Sequence, residues 1–260
     1  MKPFRTLAET TAPDGGRLTL HEHDGEYFMK LNGRQLMSST STSSEILLAK
    51  LACENLLRHP HARILIGGLG LGFSLKAVLS LVGKKAEVHV AELLPEVIEW
   101  NREFLMNLNG AVLDDHRVQI FAEDVARLIR RAQAERYDAI LLDVDNGPTS
   151  LVQAGNYRLY SRRGFQRIAA ALQPGGRVAF WSAIDEESFG EALARAGFRV
   201  HVVDAKSHER AKRFEHRIYV GETEPRHREA AAAAAAEPPN PRLQAPRKSQ
   251  MSKLQGEGGC

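Results

Sequence analysis

Residues 63–72 read RILIGGLGLG, and together with Glu92 they decide the fold. An apolar run (Ile64, Leu65, Ile66) ends in glycines, and a helix-like segment follows at 73–82. A second apolar run at 88–91 ends in Glu92, 20 residues after Gly72. Strand, glycine turn, helix, strand and terminal carboxylate form the unit that brings backbone close to a nucleoside and lets an acid hold its ribose hydroxyls.

The glycine spacing narrows the ligand. A dinucleotide fingerprint wants G-x-G-x-x-G, whereas Gly68, Gly70 and Gly72 read G-x-G-x-G and Phe73 stands where the third glycine would fall. A pyrophosphate cradle is therefore disfavoured. The spacing resembles the first motif of class I S-adenosylmethionine-dependent transferases, in which the turn packs on the amino-acid part of the cofactor. A tight strand-to-helix turn of any α/β domain is the plainer alternative.

Outward from this unit the pattern repeats. Strands are predicted at 63–67, 87–92, 117–121, 138–143, 176–182, 198–204 and 215–221, and helices at 73–82, 95–107, 124–134, 162–172 and 186–196. Short apolar strands alternating with helices predict an α/β fold: a doubly wound, mostly parallel seven-stranded sheet with an antiparallel last strand. The first 45 residues differ. RLTLHEHD, EYFMKLNG and RQLMSS alternate apolar and polar residues, with Gly25 and Asn32-Gly33 as turns, and predict a small antiparallel β element. A helix is predicted near 45–58. The expected organisation is 1–45, 46–222 for the transferase-like domain, and a disordered low-complexity tail at 223–260, whose seven-alanine run and EPPNP cannot bury a core.

Composition limits the alternatives. At 43% hydrophobic and 26% charged residues the chain reads as a soluble globular protein. No apolar run approaches the ~20 residues that span a bilayer, so no membrane partner is expected. MKPFRTLAETTAPDGG lacks a leader-like apolar stretch, and a cytoplasmic setting is expected. Cys53 reads as a small buried apolar residue. The net charge of +3 resides partly in the tail, which makes nucleic acid a weak expectation as partner. The stretch Lys206, His208, Arg210, Lys212, Arg213 could still contact phosphates, and leaves nucleic-acid binding as a third reading. His21/His23 and His59/His61 lack a nearby third ligand, so no metal is expected.

Three carboxylates fall at carboxyl ends of strands, where ligands of open α/β sheets sit. Glu92 is the ribose candidate. Asp124 either accepts from an adenine amino group or caps the helix that begins at Val125, and the two roles are compatible. Asp143 leaves the fourth strand with Asp145 and Asn146 close behind. A sulfonium cofactor is attacked at a carbon beside sulfur, and its thioether leaves without needing an acid. An alkylamine nucleophile, with pKa about 10, arrives as ammonium, so a carboxylate must orient it and take its proton. Asp143 suits that role, with Asp145 or Asn146 as its orienting neighbour.

At these residues the chain resembles the spermidine synthases, the polyamine aminopropyltransferases. ILIGGLGLG, the acid of VAEL, the AED at 122–124, YDAILLD and LYSRRGFQRIAAALQPGG carry the resemblance, and KLNGRQLMS extends it to residues 15–221. It implies a class I methyltransferase-like fold, a homodimer, and transfer of an aminopropyl group from decarboxylated S-adenosylmethionine to a small amine. It also implies cofactor contacts at Gln35, Gly68, Gly70, Gly72, Glu92 and Asp124, the amine-deprotonating role for Asp143, and substrate contact by Glu45. The chain departs from that family at 38–44, SSTSTSS, where serines replace the family's tyrosine and histidine and Glu45 alone stands for its glutamate. Hydroxyls there favour an alternative, S-adenosylmethionine-dependent methyl transfer to a non-polyamine acceptor.

Overall fold

Two tight hairpins open the chain. β1 (Arg5–Thr11), β2 (Arg17–His23), β3 (Glu26–Leu31) and β4 (Arg34–Ser38) form a four-stranded antiparallel sheet in chain order. Asp24-Gly25 and Asn32-Gly33 turn the second and third strands, all four residues at positive φ, as a primed two-residue turn requires. The sequence pattern did not reveal β1, because RTLAETT carries no strict alternation. The computed structural model describes residues 4–57, 59–132, 136–144, 154–211 and 213–225. They lie in one unit, Met1–Pro225; the tail beyond it, Arg226–Cys260, lies outside the described residues.

α1 (Ser43–Cys53) follows, then β5 (Arg63–Gly67), α2 (Phe73–Leu81), β6 (Glu87–Ala91), α3 (Pro95–Glu103), α4 (Met106–Asn109), β7 (Val118–Phe121), α5 (Val125–Arg131), β8 (Tyr137–Leu142), α6 (Arg162–Ala171), β9 (Leu172–Ser182), α7 (Glu187–Arg195), β10 (Arg199–Ala205) and β11 (His216–Glu222). The expected single helix at 95–107 is two helices. Both Phe104 and Leu105 donate backbone N–H to the Trp100 carbonyl, and the chain turns there. β9 starts earlier than the expected 176: Leu172 pairs with Tyr137, the Pro-Gly-Gly stretch loops out, and pairing resumes at Arg177.

The second sheet has the order β10-β11-β9-β8-β5-β6-β7, with β11 antiparallel to both its neighbours and the other pairs parallel. Its central strands are mostly apolar because helices cover both faces; β5 and β8 are almost wholly buried. One core lies under α1 and α2 and takes in Leu18, Leu20 and Met29 of the small sheet. The other lies under α5, α6 and α7, built round Phe165, Phe180 and Phe189. Chain order reverses between β5, which leads on to β6, and β8, and ligands of such sheets bind at this switch point. Among the described residues, no helix is long and apolar enough to cross a membrane.

Candidate functional site

A cavity of about 160 Å³ opens at the carboxyl ends of β5, β6 and β8 and the loop after β7. Gly68, Gly70, Glu92, Asp124 and Asp143 line it on the sheet side; Leu18, Met29, Leu31 and Leu36 of the small sheet line the other. The wall is therefore apolar on one side and carboxylate-rich on the other.

The glycine turn is dictated by close approach. Gly68 has φ +89, and a Cβ there would collide with the Asp143 carbonyl at the end of β8. Gly70 has φ +52, and a Cβ would meet the Met37 Sδ at 2.5 Å. Gly72, at φ +86, begins α2, and its hydrogens face Asn101 and Asn109 instead of the cavity. That asparagine pair is not evident from sequence. Asn109 Nδ2 donates to Asn101 Oδ1 at 2.8 Å, and Asn101 Nδ2 donates to the Gly70 carbonyl at 2.8 Å, so α3 and α4 hold the turn in place.

Glu92 is buried, at 8% exposure, and grips the same turn. Its Oε2 accepts the Leu69 N–H and its Oε1 the Leu94 N–H, each at 2.9 Å. Burial pushes its carboxyl above the ordinary range, and these N–H donors pull it back. With lone pairs left on each oxygen, it can still accept hydroxyl donors from the cavity. Asp124 caps α5, accepting the Ala126 N–H at 2.8 Å, and also borders the cavity, so the two sequence readings coexist geometrically.

Asp143 lines the cavity just past β8, and its N–H donates to the Gly67 carbonyl. Burial, and then the negative charge of Glu45, push its carboxyl up to about 7. Glu45 sits in the first turn of α1, 6% exposed, with the Ser44 hydroxyl donating to its Oε2 at 2.7 Å. Burial raises its pKa as well, against the Ser44 hydrogen bond. Two carboxyls from distant parts of the chain are thus electrostatically coupled under the N-terminus of α1.

Trp181 follows Phe180 on β9, whose partner across the sheet is Leu142, the residue before Asp143. The Trp181 ring contacts the His216 ring of β11 at 4.8 Å. Trp181 Nε1 and His216 Nδ1 are buried and have no hydrogen-bond partner among the described residues. Burial lowers the His216 pKa, against Glu215. Neither Trp181 nor His216 carries a motif that marks it in the sequence.

Gln35 is not brought to the cavity. It is exposed on β4, while Leu36 and Met37 turn inward, the β3–β4 register shifting at Met29/Lys30. Asp145 and Asn146 lie outside the described residues, as does Lys212. Cys53 is buried and its thiol is pushed up to about 12, which leaves it inert. His21 is engaged by Thr6 and Thr19 in the small sheet. Among the described residues no three His, Cys, Asp or Glu side chains gather as metal ligands.

The family model of the spermine/spermidine synthase domain matches residues 49–186. Polyamine aminopropyltransferase 2 of Pseudomonas aeruginosa is 34% identical over 129 residues, 48% of this chain and 34% of that protein. Putrescine N-methyltransferase 2 of Nicotiana attenuata is also 34% identical, over 122 residues, 46% of this chain and 30% of that protein. The chain thus spans about a third of the length of these curated relatives. The crystal structure of spermidine synthase from Thermotoga maritima has the same fold, with a TM-score of 0.65 at 18% identity over 84% of this chain and 72% of that one. Sheet order, glycine turn and a match over more than half its residues agree: this chain belongs to the spermine/spermidine synthase domain family.

Proposed function

We propose that this chain transfers the aminopropyl group of decarboxylated S-adenosylmethionine to a small amine, with Asp143 as the proton acceptor. One observation carries the reading: a carboxyl raised to about 7 lines the same cavity as the glycine turn and Glu92. The cavity suits an adenosyl group: backbone approaches closely at Gly68 and Gly70, Glu92 offers lone pairs to ribose hydroxyls, and Asp124 stands at a third strand end.

The sulfonium, when bound, supplies a carbon whose bond to sulfur breaks with both electrons going to sulfur, leaving a neutral thioether. Asp143 does the complementary work. As carboxylate it holds the incoming ammonium and takes one proton; the freed nitrogen pair then forms the new N–C bond. Near pH 7 a base of pKa about 7 is half ionised, so it can take a proton and return it to water. Glu45 adds negative charge beside it, which attracts the cation and keeps Asp143 basic. The small sheet excludes water from the other side through Leu18, Met29 and Leu36.

Methyl transfer from S-adenosylmethionine is the second reading. Its support is the equal identity, 34%, to a putrescine N-methyltransferase, and the hydroxyls at 38–44 in place of the family's tyrosine and histidine. Incubation of the purified chain with each cofactor and a panel of amines decides between them. Methylthioadenosine with an aminopropylated amine supports the first reading; S-adenosylhomocysteine with a methylated amine replaces it with the second. No product and no calorimetric binding of either cofactor removes both.

A further inference from the structure

A second cavity, of about 240 Å³, opens between α5 and α6. Arg127 and Arg130, one turn apart on α5, line it together with Arg158 and Arg167. None of the four forms an ion pair among the described residues. Their neighbours do: Arg131 of α5 pairs with Glu123, and Arg195 of α7 with Glu191. The acid in the lining is Asp124, whose Oδ1 accepts the Ala126 N–H and whose charge also attracts Arg158, itself set over the Tyr157 ring. Gly164, in the first turn of α6, also lines the cavity, with its N–H donating to the Ser161 hydroxyl.

We propose that this cavity binds a small phosphate-bearing anion of the pyrophosphate class. Four exposed arginines line one concavity, and a multiply charged oxyanion seated in it attracts all of them. Planar guanidinium forks match phosphate oxygens two at a time. A nucleic acid needs cations strung along successive phosphates, whereas these four line one concavity between two helices. The proposal stands apart from the reading of the neighbouring cavity, with which this one shares only Asp124 and Asn156.

Calorimetric titration of the full chain with sodium pyrophosphate tests it, with inorganic phosphate, ADP and a single-stranded RNA oligonucleotide in parallel. One saturable site for pyrophosphate is expected, weakened by salt. The double variant Arg130→Gln/Arg167→Gln should bind about tenfold or more weakly, since each lost contact is a hydrogen bond to a charged group. Arg195→Gln, at an arginine already paired on α7, should bind as the unaltered chain does. Arg130, Arg167 and Arg195 are all exposed, and circular dichroism confirms that each variant folds. Pyrophosphate should also raise the melting temperature of the unaltered chain and not that of the double variant. Tighter binding of ADP than of pyrophosphate would name a nucleotide as the source of the phosphate. The proposal falls if pyrophosphate does not bind, if the double variant binds equally well, or if only the RNA binds.

Discussion

Replacing Asp143 by asparagine should make the protein more stable and inactive at once. Between 3.8 and about 7 lies about 4 kcal/mol against the charged form, and water in the cavity screens part of it, leaving about 2–4 kcal/mol. The sign follows from proton counting. The folded carboxyl holds its proton up to about pH 7, whereas the unfolded one releases it near 3.8. Folding therefore takes up a proton between those values, and unfolding free energy falls as pH rises through that window. The amide has no charge to bury, so Asp143→Asn should match the unaltered chain near pH 4 and exceed it by about 2–4 kcal/mol above pH 7. Urea titrations from pH 4 to 8 measure this directly. Turnover in the same variant should fall about 10²–10⁴-fold, the usual share of a general base. A stability difference that does not change with pH would refute the electrostatic account. Intact turnover would refute the assignment of Asp143 as base.

Other substitutions separate the parts of the site. Glu45→Gln removes the charge that helps raise Asp143, so the acid limb of the pH–rate profile should move below its position near pH 7. Gly68→Ala should cost about 1–3 kcal/mol in unfolding titrations and abolish calorimetric binding of adenosyl ligands, since the added Cβ strikes backbone. Gly70→Ala meets only the end of the Met37 side chain, so Met37→Ala should restore binding to it and not to Gly68→Ala. Asn101→Ala frees the Gly70 carbonyl and strands Asn109; unfolding titrations should show a loss of about 1–3 kcal/mol. Trp181→Phe deletes the unpartnered Nε1–H together with the five-membered ring that packs on His216, so unfolding titrations should show a loss of about 1–2 kcal/mol, and the relative kcat/KM of different amines should change.

The glycine-turn end of the cavity was legible in sequence because backbone builds it. Glycines at 68 and 70 are demanded by collisions with Asp143 and Met37, and a strand–turn–helix unit carries its own spacing. The same economy made Asn32-Gly33 readable as a hairpin turn, its two positive φ angles being ones few residue types adopt. Gly72 shows the limit of such reading. Its motif position suggested a ligand contact, yet its positive φ serves the start of α2 against Asn101 and Asn109. Gln35 shows another: strand alternation fixes which face a residue takes, but the register shift at Met29/Lys30 is invisible until the strands pair.

The acceptor end was hidden for a different reason. Glu45 comes from α1, Asp143 from the end of β8, Trp181 from β9 and His216 from β11, so no local spacing joins them; only the sheet order does. Side chains gathered this way can be exchanged singly without disturbing the glycine turn. Chains alike at the glycine turn can then differ in the group they transfer and its destination. In the site we propose, two carboxyls favour a cation, and the nearby Trp181 indole N–H lacks an acceptor among the described residues. A diamine meets the first need and offers the second nothing but further N–H donors. A primary amine whose far end carries a hydroxyl or carbonyl oxygen meets both, and the amine panel should rank it above a diamine of equal length. A diamine preferred by a wide margin would mean that Trp181 packs in the core and leaves acceptor choice to the carboxyl pair alone.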